Sequence, residues 1–186
     1  MSRCGPPARR AAVALLALSF ASPLTAAPPA QPTGASPPPL LAYAAGQVGV
    51  KRCLGAIDGI ARRTTAGALR QDLLLDWDRA DPNGGALFSL TGLEYANASA
   101  LLSVSAVPQT GLGCALLVEQ ISAAPVGCAE LARTELAGYA AVPLLPSVTV
   151  YRRQEVRQET VVLADATPGC LVVRRQVQYG WLGGQW

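Results

Sequence analysis

Three aspartates stand close together in "LLDWDRADPNGGALFSL", Leu74 to Leu90: Asp76, Asp78 and Asp81, followed by Asn83-Gly84-Gly85. Three chemistries fit such a cluster. A calcium loop of the EF-hand kind needs oxygen ligands at alternate positions, a central glycine and a closing glutamate. Counting from Asp76, Asp78 falls correctly, but Ala80, Asp81 and Leu87 occupy the other deciding places. An acid pair is the second option. On a strand Asp76 and Asp78 point to one face with Trp77 on the other, close to the carboxylate separation that retaining glycosidases use. No aromatic sugar platform lies nearby. The third reading is a turn. Pro82 presets φ at the second position of Asp81-Pro82-Asn83-Gly84, and Asn-Gly supports positive φ beyond it. The turn reading fits best, with Trp77 as a core anchor beside a hairpin connection.

Other catalytic chemistry is narrowed by composition. The chain contains no histidine, which removes Ser-His-Asp and Cys-His catalysis and histidine metal sites. GxSxG, GxGxxG and P-loop patterns are missing too. A Ser-Lys hydrolase would depend on Lys51, and no Ser-x-x-Lys accompanies it. The expectation is a non-enzymatic protein without cofactor or bound metal. The alternative is a carboxylate-based hydrolase or cation-binding protein built on Asp76, Asp78 and Asp81.

A second group of side chains suits binding. Arg152, Arg153, Arg157, Arg174 and Arg175 fall on two segments that read as a C-terminal hairpin, with Glu155 and Glu159 between them and Gln154, Gln158, Gln176 and Gln178 adding amides. One reading is a solvated sheet face with cross-strand ion pairs. The functional reading is a docking surface for a protein or cell-envelope component, because arginine is enriched at interfaces. Trp181 and Trp186 lie in "YGWLGGQW", either as surface anchors or packed back on the sheet.

The N-terminal segment sets the address. Arg3, Arg9 and Arg10 precede the apolar run Ala11 to Ala21, and small residues follow at Thr25-Ala26-Ala27. That is the three-part plan of a secretory signal peptide, read as residues 1–26; the apolar run is short of the ~20 residues that span a bilayer. Residues 27–39 form a Pro-rich linker that cannot build a core. Residues 40–186 form one exported domain. The whole chain has 15 basic and 12 acidic residues. Loss of the leader removes three arginines and no acid, so neither nucleic acid nor an anionic membrane is an expected partner. No later segment is long and apolar enough to be a transmembrane helix. Lys51 is the only lysine. This arginine bias, with the wealth of alanine and glycine, points to a high-GC bacterium and thus to a periplasmic or secreted protein. In a eukaryote, Asn97-Ala98-Ser99 would be a glycosylation acceptor.

Four cysteines follow the leader: Cys53, Cys114, Cys128 and Cys170. An even number in an exported chain reads as two disulfides. Of three pairings, Cys114–Cys128 and Cys53–Cys170 are expected.

The elements that must position these residues read as α+β. A helix is expected over Gln47 to Arg63, with Val50, Leu54, Ile57 and Ile60 on one face. Four strands follow: "ALRQDLLLDWD", "GGALFSLTGLEYA" with an interruption near Gly92, "SALLSVSAV" and "GLGCALLVEQI". Short breaks make them an antiparallel meander. A second helix fits "PVGCAELARTELAG", "VPLLP" reads as a loop, and a long hairpin closes the chain. The expected fold is therefore an antiparallel sheet, a four-strand meander plus a C-terminal hairpin, with one or two helices on one face.

Overall fold

The computed structural model describes residues 38–111, 113–153 and 159–182. The leader, nearly all of the linker, Arg157 with its neighbours 154–158, and Trp186 lie outside the described residues.

Three helices and eight strands appear among the described residues: α1 (Leu40–Gln47), α2 (Leu54–Thr64), β1 (Arg70–Trp77), β2 (Leu87–Glu94), β3 (Ser99–Pro108), β4 (Cys114–Ala124), α3 (Cys128–Glu135), β5 (Ala140–Leu145), β6 (Val148–Arg152), β7 (Glu159–Ala166) and β8 (Gly169–Trp181). The strands form one antiparallel sheet in the order β1-β2-β3-β4-β8-β7-β6-β5. Two four-strand meanders therefore meet along β4 and β8, and each is preceded by a helix. The expected first meander is present, and β2 runs unbroken through Gly92, which pairs with Asp72 and Leu101.

Two elements differ from expectation. The helix expected over Gln47 to Arg63 begins only at Leu54, as α2; an unexpected helix, α1, precedes it, and Gly49 with φ +98° lies in the segment between them. The C-terminal hairpin is a second meander. "VPLLP" lies largely within β5, and Tyr151 and Val161 are cross-strand partners in β6 and β7. The sequence between them carries no glycine or proline, so its reversal had no turn signal.

The three helices among the described residues all lie on one face of the sheet. In β2 the buried residues Leu87, Ser89, Thr91 and Leu93 alternate with outward-facing ones, the period-two pattern of a sheet with one packed face. Leu102 and Val104 of β3 and Leu116 and Val118 of β4 join the same core, closed by Leu41 of α1 and by Ile57 and Ile60 of α2. A smaller core beneath α3 gathers Leu131, Val161, Leu163 and Val172.

The disulfides correct the expected pairing. Cys53 joins Cys114 and Cys128 joins Cys170, with Cα separations of 5.8 and 4.9 Å. Cys114 opens β4, whereas Cys128 follows its far end. Eleven extended residues span ~35 Å at the usual rise per residue, far beyond disulfide reach. Each bond ties the start of a helix to the start of the fourth strand of its own meander.

Candidate functional site

The aspartate stretch is a turn, closed by Gly85 N–H donating to the Asp81 carbonyl at 2.8 Å, and neither Asn83 nor Gly84 takes the expected positive φ. Asp78 Oδ1 accepts hydrogen bonds from the backbone N–H groups of Ala80 and Asp81, and Asp81 Oδ1 accepts from Gly84 N–H at 2.9 Å. Two of the three carboxylates thus hold backbone. Asp76 sits on β1 opposite Phe88. Among the described residues no three His, Cys, Asp or Glu side chains group to hold a metal. Trp77 is half-buried with the Arg79 guanidinium 5.1 Å from its ring centroid.

Asn83 has a further role that its turn chemistry did not reveal. Its Oδ1 accepts from the N–H groups of Lys51 and Arg52, at 3.0 and 2.8 Å. The Arg52 guanidinium in turn donates to the carbonyls of Gln109 and Gly111. The turn therefore clamps the segment between α1 and α2 to the end of β3. Asn83→Ala removes that acceptor from two exposed N–H donors and is expected to cost about 0.5–1.5 kcal/mol, read as a lower urea midpoint with an unchanged m-value.

The arginines divide between two faces. Arg174 lies on the helix side, 3.2 Å from Glu135 of α3 and 3.9 Å from Glu159. Arg175 lies on the opposite side, 3.1 Å from Glu119. Arg152 shares that side with Arg175 through Thr160, which pairs with both. Arg153 is exposed, with its guanidinium 6.0 Å from the Tyr139 ring centroid. Arg157 lies outside the described residues. A single arginine cluster across a hairpin is therefore not formed by Arg152, Arg174 and Arg175. Exposed ion pairs such as these contribute little stability.

Trp181 packs back on the sheet. It is 6 % exposed, its ring edge lies 3.3 Å from the position a Cβ on Gly59 would occupy, and the Arg63 guanidinium sits 5.8 Å from its centroid. Burial lowers the pKa of Arg63.

The surface left over is the sheet face that no helix among the described residues covers. One row crosses it in register: Val142, Val150, Val162, Val173, Ile121, Leu101, Gly92 and Asp72. The neighbouring row runs Ala140, Arg152, Thr160, Arg175, Glu119, Ser103, Leu90 and Leu74. Leu74, Phe88 and Leu101 are 69 %, 50 % and 42 % exposed. At one corner the face dips into a groove of about 640 Å³, bordered by Arg70, Glu94, Leu101, Ile121 and Leu171. Polar residues interrupt the face: Arg152, Thr160, Arg175, Glu119 and Ser103 share one row, and Asp72, Glu94 and Ser99 line the groove. What this surface offers is apolar contact, with the Arg175–Glu119 ion pair near its centre and further charges at its margins.

Sequence reading did not single out these leucines and valines. A signal existed: Leu73-Leu74-Leu75 and Ala115-Leu116-Leu117-Val118 are apolar on both sides of their strands, the pattern of a sheet with two faces to cover.

The chain thus belongs, by architecture, with antiparallel sheets layered by helices on a single side. Compared with family models, with curated proteins and with solved structures, it matches none. No helix among the described residues is long and apolar enough to cross a membrane. The two disulfides are compatible with an exported protein.

Proposed function

We propose that this chain is an exported, non-catalytic binding module, periplasmic or secreted, whose working surface is the uncovered face of the sheet. The observation that carries this reading is the apolar row from Val142 to Leu101 on a face that no helix among the described residues covers. Monomeric proteins rarely leave contiguous apolar surface beyond a few hundred Å² without a partner for it. Arg152 and Arg175 belong to this surface and are the arginines we assign to docking. Arg174 does not belong to it.

A completed strand edge is the competing mode. It is less favoured, because both edges are blunted. β1 carries Arg70, Asp72 and Asp76, and β5 carries Pro143; charges and proline are the usual protections of an edge.

The test is site-specific photocrosslinking of the full chain in living cells. A crosslinking side chain at Leu101, on the open face, is expected to capture a defined product. One at Tyr43, exposed on α1, is expected to capture none. Arg152→Ala with Arg175→Ala should reduce the Leu101 product several-fold. Equal products from both positions, or none from Leu101, would remove the open face as the working surface.

A further inference from the structure

Resting on that open-face reading, we propose that the occupant of the face is a second copy of this chain. The two copies stack sheet against sheet about a two-fold axis running parallel to the strands, between β4 and β8. Three observations point to this arrangement.

The first is charge. At one margin of the face Asp72 and Asp76 flank Leu74 on β1; towards the other margin stands Arg152 on β6. None of the three has an ion-pair partner within its own chain among the described residues. The central charges, Arg175 and Glu119, neutralise each other. A two-fold parallel to the strands lays β1 of one copy over the β5–β6 side of the other. Each acidic margin then meets an arginine, twice by symmetry. A two-fold running across the strands would place β1 on β1, acid against acid.

The second is shape. The groove at the β1 side lies at one end of the strands, and the row Leu145, Val148, Ala164, Leu171, Ala123 runs into it. Leu145 therefore stands at the same level along the strands, at the opposite margin, and is 61 % exposed. The same two-fold swings the Leu145 of each copy towards the groove of the other. Packed sheets sit ~10 Å apart, which lets such side chains interdigitate.

The third is area. Eight strands at ~4.8 Å spacing and about six residues of shared length give a face of ~750 Å². Two such faces bury ~1,500 Å², the size of a standard specific interface of about 1,600 Å².

The experiment is light scattering after size exclusion on the mature chain from 1 to about 200 µM, with circular dichroism to show that each variant is folded. The expected result is a dimer. Leu101→Asp and Leu145→Asp should each weaken association at least tenfold with unchanged thermal unfolding of the monomer, since both side chains are exposed. A chain with Asp72→Arg and Asp76→Arg, and a separate chain with Arg152→Asp, should each be monomeric alone. Mixed together they should form a one-to-one dimer, because both charge contacts are then complementary. A monomer throughout the range overturns the proposal, as does a dimer indifferent to these substitutions. Crosslinking from Leu101 separates the two readings. Capture of a different protein by a monomeric chain overturns self-pairing and leaves the open face as the working surface. No product from Leu101, with a monomeric chain, removes both.

Discussion

Removing the Cys53–Cys114 bond with the double substitution Cys53→Ala and Cys114→Ala is expected to cost about 4 kcal/mol of stability. The two cysteines are 61 residues apart. Closing a loop of that size in the unfolded chain removes conformational entropy worth about 4 kcal/mol in the chain-entropy relation. Both cysteines are almost fully buried in the larger core, so alanine also leaves a small void. Domains hold only about 5–15 kcal/mol in total, so the variant should unfold on the order of 10 °C earlier. The Cys128–Cys170 bond spans 42 residues and should contribute slightly less in the same relation. Thermal and guanidinium unfolding of both double variants measures this. Peptide mapping of the unreduced protein checks the pairing itself: a linked peptide pair holding Cys53 and Cys170 would contradict the register of β4 on β8.

Trp181→Ala is expected to cost about 3–5 kcal/mol, the usual range for emptying a buried aromatic site. The indole fills the space beside α2 that Gly59 leaves open and belongs to the larger core. An aromatic anchor exposed on a tail would instead change stability by less than about 0.5 kcal/mol. The two roles therefore separate by several kcal/mol in a single denaturation experiment. Trp181→Phe should retain part of the stability, since it keeps apolar volume at the site. A cost near zero for Trp181→Ala would mean that the C-terminal end of β8 does not close the core.

Local pattern was the readable part. The first four strands, the turn at Asp81-Pro82-Asn83-Gly84 and the helix around Leu131 each rest on residues within a few positions of one another. In β8 the same two-residue alternation places Leu171, Val173, Arg175 and Val177 together on the open face. The reversal between β6 and β7 was missed because its residues are strand-like or charged and lack a breaker. The start of α2 was placed too early, at Gln47, and α1 was missed because Pro39 offers no capping side chain to mark its start.

The amino-acid sequence by itself determined the absence of histidine chemistry, the even set of four cysteines from Cys53 onward, and the two-residue alternation of the strands. These depend on composition and on neighbours along the chain. The tertiary structure alone decided which cysteines meet, which arginines share a face and which side of the sheet stays uncovered. Each of those is a distance between residues tens of positions apart, set by the pairing of β4 with β8 and by the side on which the helices pack.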